Sequence, residues 1–348
     1  MPLTSDLTLD PSKFDPKTID PKTHELNEKL IKIMDGAPRF GAERYREMRW
    51  NGETPLPKPA DLQKQPVRTK NDFTVVLPSG KNILLPSREP GRQIPCRVFH
   101  PDNGVKAKSL FYHIHGGGWV LQSEAYQDTM LQYLSTTSNL VVLSIGYRLA
   151  PEHPYPAGNE DCFDIGEYLV DHAERDYGVS MRFMSGDSAG AHLSVVTCYH
   201  LLKTKPKFEF KGLVLNFGAY DLSGFLPQVW NFKQPLVLDE EIMTKYIEAY
   251  LPSTTAAQRR DPMISPFFAD FATMSGLPSA LFVVGTADCL LEDSVFMSAK
   301  WRSSGADSVL RVYPGAPHGF VFFPPGAGGT PETQKALDDI TMYINERV

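Results

Sequence analysis

Ser188 sits in Gly186-Asp187-Ser188-Ala189-Gly190, a G-x-S-x-G run that follows the apolar stretch Ser180–Ser185 and precedes a helical one, Ala189–Leu202. A strand-to-helix turn this tight leaves no room for bulky neighbours, which accounts for the glycines two places before and two after the serine. The turn lifts the Ser188 hydroxyl above the sheet edge. It also points the positive end of the following helix at any oxyanion forming there. On its own the pentapeptide reads equally well as a structural Gly-Ser turn, so the reading depends on what else the chain supplies.

A serine hydroxyl is a weak nucleophile until a base accepts its proton. His192 is one helical turn past Ser188 and reads as a packing residue or pocket wall. His200 is about 18 Å along the same helix, out of reach of the hydroxyl. His318 instead occupies Pro314-Gly315-Ala316-Pro317-His318-Gly319-Phe320, a turn just after the strand Val309–Tyr313. For the acid, Asp288 follows the strand Ala280–Gly285 through Thr286 and Ala287, where a strand end delivers a carboxylate to the same sheet edge. Its role would be to hold the imidazole tautomer and stabilise the imidazolium. The competing reading of Asp288 is a helix N-cap. Glu292 and Asp293, in the next helical turn, read as solvated or structural.

The third component is His115-Gly116-Gly117-Gly118-Trp119, after the strand Leu110–His115. Successive glycines let backbone N–H groups approach a ligand closely. Two such donors stabilise a tetrahedral oxyanion, and losing one typically slows acyl transfer ~100- to 1000-fold. The donors are assigned to Gly116 and Gly117, with the Ala189 N–H as a third. A phosphate cradle is disfavoured because neither G-x-x-x-x-G-K-[ST] nor G-x-G-x-x-G is present. His113 and His115 share a strand face, yet no nearby acid–histidine set completes a metal site, so no metal or cofactor is expected. Trp119, Phe217, Tyr220 and Phe320 lie at strand ends or in these loops and are candidates for an apolar substrate pocket.

Strands alternating with helices must position these groups. Besides those already named, strands are expected at Cys96–Phe99, Leu140–Tyr147 and Gly212–Phe217. Phe73–Leu77 and Asn82–Leu85 read as a hairpin about a Pro-Ser-Gly-Lys turn. Helices are expected at Glu25–Met34, Ala125–Thr136, Gly158–His172 and Glu332–Arg347, the last capped by Thr330 with Pro331 at its first position. Another helix is read around Arg44–Trp50. This alternation implies a mostly parallel sheet covered on both faces. Residues 222–275 interrupt it where a lid would sit. The chain therefore divides into an N-terminal segment (1–70), a core (71–221 and 276–348) and an insertion (222–275).

The 348 residues are 42% hydrophobic and 22% charged, an ordinary soluble composition, and the net charge of −6 gives nucleic acid no basic footprint. No apolar run approaches membrane-spanning length, and the N-terminus lacks the basic start and apolar core of a leader. Four scattered cysteines read as reduced thiols of a cytoplasmic protein. The sequence leaves a homodimer open.

Taken together, His115–Gly118, Tyr147-Arg148-Leu149-Ala150-Pro151-Glu152 with His153–Ala157, Gly186–Gly190, Gly285-Thr286-Ala287-Asp288 and His318-Gly319-Phe320 resemble the hormone-sensitive-lipase-like branch of the α/β-hydrolases. The resemblance implies an eight-stranded sheet with flanking helices, and a cap built from the N-terminal segment and the 222–275 insertion. It also implies hydrolysis of small carboxylic esters, short- to medium-chain or aryl, by Ser188, His318 and Asp288. It gives Tyr147–Ala157 a structural role. Ala191 and His192 depart from the Gly and Asn that usually follow the serine motif. An amidase or deacetylase would use the same triad. A non-catalytic receptor on this fold is the rival from another class, and the presence of all three triad residues favours the enzyme.

Overall fold

The computed structural model describes residues 8–35, 76–234, 236–323 and 329–348. The helix expected around Arg44–Trp50 and most of the strand expected at Phe73–Leu77 lie outside them. Eight strands form one sheet: β1 (Lys81–Pro86), β2 (Gln93–Phe99), β3 (Ser109–Ile114), β4 (Leu140–Ile145), β5 (Met181–Asp187), β6 (Gly212–Asn216), β7 (Ala280–Ala287) and β8 (Ser308–Pro317). Their order is β1-β2-β4-β3-β5-β6-β7-β8. β2 pairs antiparallel with both β1 and β4, and β3 to β8 are mutually parallel.

The parallel strands are continuous apolar runs because both sheet faces are covered. Every residue of β3, β4 and β6 is buried. Along β7, Phe282 enters the core on one face while Leu281 and Val283 enter the core on the other. Helices α3 (Ala157–Tyr177), α4 (Ala189–Thr204) and α7 (Leu291–Ser303) contribute to the first core, and α2 (Asp128–Ser138) and α8 (Pro331–Asn345) to the second. α8 begins as expected, with Thr330 and Thr333 forming a reciprocal cap and Pro331 in the first turn. Between β6 and β7 the insertion carries α5 (Pro227–Asn231) and α6 (Glu240–Tyr250), the latter capped by Asp239. Among the described residues no helix is long and apolar enough to cross a membrane.

The hairpin differs from the sequence expectation. β1 pairs with β2, through residues 87–92, and Val76–Leu77 are not in a strand. The cause is a buried ion pair remote in sequence. Arg97, 1% exposed, binds Asp128 through Nε at 2.8 Å and also donates to the Leu77 carbonyl at 2.6 Å and to Asn82 Oδ1 at 2.7 Å. The Leu77 N–H donates to Asp128 at 2.7 Å. The Leu77 N–H is thus committed to this cluster, and its carbonyl is shared between Arg97 and the Gly80 N–H of a turn, at 3.2 Å, so neither group is in a ladder. The helix Pro21–Asp35 (α1) starts one turn earlier than the apolar pattern indicates and packs beside β8.

Removing one partner of such a pair leaves a buried, uncompensated charge. Arg97→Met should therefore lose about 3–5 kcal/mol of stability in urea unfolding, and the double variant Arg97→Met/Asp128→Leu should regain part of it. A single variant as stable as wild type would show that the pair is dispensable.

Candidate active site

Ser188 stands between β5 and α4 with φ 55°, a left-handed value that costs a non-glycine residue about 1–3 kcal/mol. Surrounding contacts impose it. The Ser188 N–H donates to the Asn216 carbonyl at 2.8 Å, and the Ser188 carbonyl accepts from the His192 N–H at 3.1 Å. The flanking glycines permit the crossing of strand and helix. A Cβ at Gly186 would lie 2.1 Å from the Gly190 carbonyl oxygen, and one at Gly190 would lie 2.0 Å from that of Ile114.

His318 arrives from the end of β8 and Asp288 from the end of β7, as the sequence order requires. The Ser188 hydroxyl lies 2.9 Å from His318 Nε2, and His318 Nδ1 lies 2.9 Å from Asp288 Oδ2. Asp288 is fully buried and His318 nearly so. The other oxygen of Asp288 accepts from the Leu290 N–H at 2.9 Å. That bond closes a local turn ahead of α7, whose N-cap position is Leu290, so Asp288 is not the helix N-cap.

The three glycines of the β3 loop do different work. Gly116 passes the nucleophile turn so closely that its Cβ would lie 2.7 Å from the Asp187 carbonyl oxygen. Gly117, with φ 100°, makes the turn itself, its carbonyl accepting from Val120 and Leu121. Gly118 lies against the ring of Tyr246 in α6, where a Cβ would meet the ring at 2.3 Å. Ala189 opens α4, so its N–H is one of the donors that a helix start leaves without an intrahelical partner. Gly116 and Ala189 thus lie directly beside Ser188, the former with its Cβ position 3.4 Å from that of the serine.

His113, His115 and His192 brace this arrangement. His115 stacks on Tyr147 with ring centroids 4.3 Å apart and donates from Nδ1 to the Gly116 carbonyl at 2.8 Å. The Tyr147 hydroxyl donates to the His115 carbonyl at 3.0 Å, and Arg148 is tied to Asp161, which fits a structural role for this stretch. His192 donates from Nε2 to the Ile264 carbonyl at 2.7 Å and accepts the Trp119 indole N–H on Nδ1 at 3.2 Å. That pair of bonds needs a neutral ring. Burial accordingly pushes His192 down to about 4 and His115 down to about 3. His113 is also a core histidine, bonded to Ser185 and Gln127, and His200 is turned away onto Glu167.

Sequence reasoning missed the support beneath Ser188. Asp187, fully buried, accepts from the amides of Gln127 and Asn216, the latter at 2.6 Å, and lies 3.2 Å from His113 Nε2. Only the unexplained acid inside the serine motif signalled it. Asp293, expected to be solvated or structural, is structural. It is buried, and it accepts from the Tyr220 and Asp221 N–H groups at 2.7 and 3.2 Å. Burial raises its carboxyl to about 7.

All four candidate pocket aromatics are buried, and their contacts separate them. The Phe217 ring lies 4.9 Å from that of His318, and Trp119 stacks on Tyr250 of α6 at 4.7 Å. Tyr220 packs on Phe282, and Phe320 packs on Phe217 and Tyr313.

Residues 111–322 match the family model described as alpha/beta hydrolase fold. The chain belongs to this family. It falls in the hormone-sensitive-lipase-like branch of these hydrolases. It is 31% identical over 291 residues to an esterase of Acinetobacter venetianus, covering 78% of this chain and 92% of that one. It is 30% identical over 263 residues to the carboxylic ester hydrolase LipN of Mycobacterium tuberculosis, covering 74% and 69%. A hyperthermophilic esterase of Pyrobaculum calidifontis superposes with a TM-score of 0.75 at 25% identity, over 94% of this chain and 98% of that one.

His192 makes stability depend on acidity with a definite sign. An unfolded histidine takes up its proton near 6.5, while the folded ring resists to about 4, so stability falls as pH drops through that window. Asp293 acts oppositely, its contribution being lost as pH rises from the ordinary carboxylate range to about 7. Comparing wild type with His192→Asn cancels the Asp293 contribution. The variant should be the less stable protein at pH 7.5, and the gap should narrow by about 2 kcal/mol at pH 5. Parallel urea-unfolding curves at the two pH values would show that His192 titrates normally in the fold.

Proposed function

We propose that this hydrolase cleaves small carboxylic esters, short- to medium-chain or aryl, with Ser188 as nucleophile, His318 as base and Asp288 as the group orienting it. The observation that carries the reading is the unbroken relay of two 2.9 Å contacts from hydroxyl to imidazole to buried carboxylate, with the hydroxyl standing at a helix N-terminus. As Ser188 Oγ attacks the ester carbonyl, its proton passes to His318 Nε2, and Asp288 stabilises the imidazolium. The amides of Gly116, Gly117 and Ala189 receive the oxyanion. Collapse of the adduct expels the alcohol with the proton from His318, and water repeats the sequence on the acyl-enzyme.

Trp119 and Phe217 form the nearer pocket wall, with Tyr220 and Phe320 behind it. The insertion 222–275 serves as a cap, a reading supported by Tyr246 against Gly118 and Tyr250 against Trp119. Cys96, Cys162, Cys198 and Cys289 are buried free thiols, which suits the cytoplasm.

On p-nitrophenyl butyrate, Ser188→Ala and His318→Ala should each lower kcat by about 10⁴- to 10⁶-fold, and Asp288→Asn by about 10⁴-fold. A Ser188→Ala protein with the wild-type rate would eliminate the proposed nucleophile. Two folded proteins with equally low rates on an acetyl-to-dodecanoyl series would move the assignment to an amidase or a receptor.

A further inference from the structure

His318 follows a break in the β7–β8 ladder. Gly285 pairs with Tyr313 and Ala287 with Pro317, so the single residue Thr286 faces three: Pro314, Gly315 and Ala316. Bulges of this kind re-aim the strand that carries them. On the inner side the bulge is held by β7. The Gly315 N–H donates to Thr286 Oγ1 at 2.7 Å, and the Ala316 carbonyl oxygen fills the space above Gly285, only 1.9 Å from where a Cβ would stand. These contacts explain the glycine and threonine that precede Asp288.

On its outer side the bulge faces no further strand among the described residues, where β8 closes the sheet. The N-terminal segment covers it there. Asn27 Nδ2 of α1 donates to the Gly315 carbonyl at 2.8 Å. Turning that amide over would set two oxygens against each other, so the orientation is determined. Ile19 packs on Gly315, whose φ of 68° no side chain would favour and whose Cβ would lie 2.4 Å from Ile19 Cγ2. One turn before Asn27, the buried Thr23 hydroxyl donates to Glu332 of α8, fastening the segment to the same side of the molecule. Gly315 is thus gripped from both sides, three residues before the catalytic base.

We propose that Ile19 and Asn27 are positioning residues for His318: they clamp the β8 bulge from outside and hold the imidazole between Ser188 and Asp288. The N-terminal segment then serves the chemistry from the outer edge of the sheet. The proposal rests on His318 being the base.

Steady-state kinetics on p-nitrophenyl butyrate test it, with melting temperatures and the low-field proton resonance of the His318–Asp288 hydrogen bond recorded on the same full-length proteins. A misplaced base slows the chemical step and leaves ground-state binding intact. Asn27→Ala and Ile19→Ala should each lower kcat about 10- to 100-fold with KM held within about twofold, and should shift or broaden the His318 resonance. Lys29→Ala, on the exposed side of the same helix, should change neither. If Asn27→Ala does not fold, Ile19→Val probes the same contact. Wild-type kcat and an unmoved resonance in the folded variants, whatever their melting temperatures, would overturn the clamp. If wild type itself hydrolyses no ester, the functional reading fails, and the resonance alone judges the clamp.

Discussion

The site depends on one close approach of backbone to backbone. The turn through residues 186–190 touches the loop after β3 with no side chain between them, Gly190 against the Ile114 carbonyl and Gly116 against the Asp187 carbonyl. That contact sets the distance from the nucleophile to the amides that would receive an oxyanion, and it holds Ser188 at φ 55°. The strain persists because the surroundings over-determine it: the strand below, the helix above and the Asn216 carbonyl beside it each fix a different atom.

Around this contact, polar groups are buried in pairs. Asp187 has Gln127 and Asn216; His192 has Trp119 and Ile264; His115 has Gly116 and the face of Tyr147. These bonds satisfy groups whose desolvation would otherwise cost stability, leaving His115 Nε2 without a partner among the described residues. Because every one of them touches the nucleophile turn or the glycine loop, the donors and the hydroxyl are stiffened together. Preorganisation of that sort is what lets fixed amides stabilise a developing charge without reorganising as the reaction proceeds.

The meeting of Ser188, His318 and Asp288, the proposed triad, was legible in the sequence because each follows the end of a strand, and strand ends carry visible punctuation: glycines around Ser188, the apolar run before Asp288, the Pro-Gly turn before His318. The parallel sheet was legible for the same reason, its apolar runs being too continuous for one-sided burial. The pairing of β1 escaped because Arg97 and Asp128, 31 residues apart, capture the Leu77 backbone, and no local pattern reports such a meeting. The aromatics could not be sorted into wall and core because both kinds lie at strand ends with equal apolarity. Thr286 and Asn27 were unreadable in another way, since the bulge they hold exists only in the register between two strands.

Gly118 and Tyr246 form a matched pair, a missing side chain on the glycine loop filled by a ring from the insertion. Neither can be exchanged freely: a larger residue at 118 demands a smaller one at 246, and a smaller one at 246 leaves a hollow beside the loop. Sequence drift in the insertion is therefore tethered at this point. Diversification of the insertion must proceed on the faces of α6 that do not meet the glycines, which fixes its foothold on the loop while its other surfaces stay free to change.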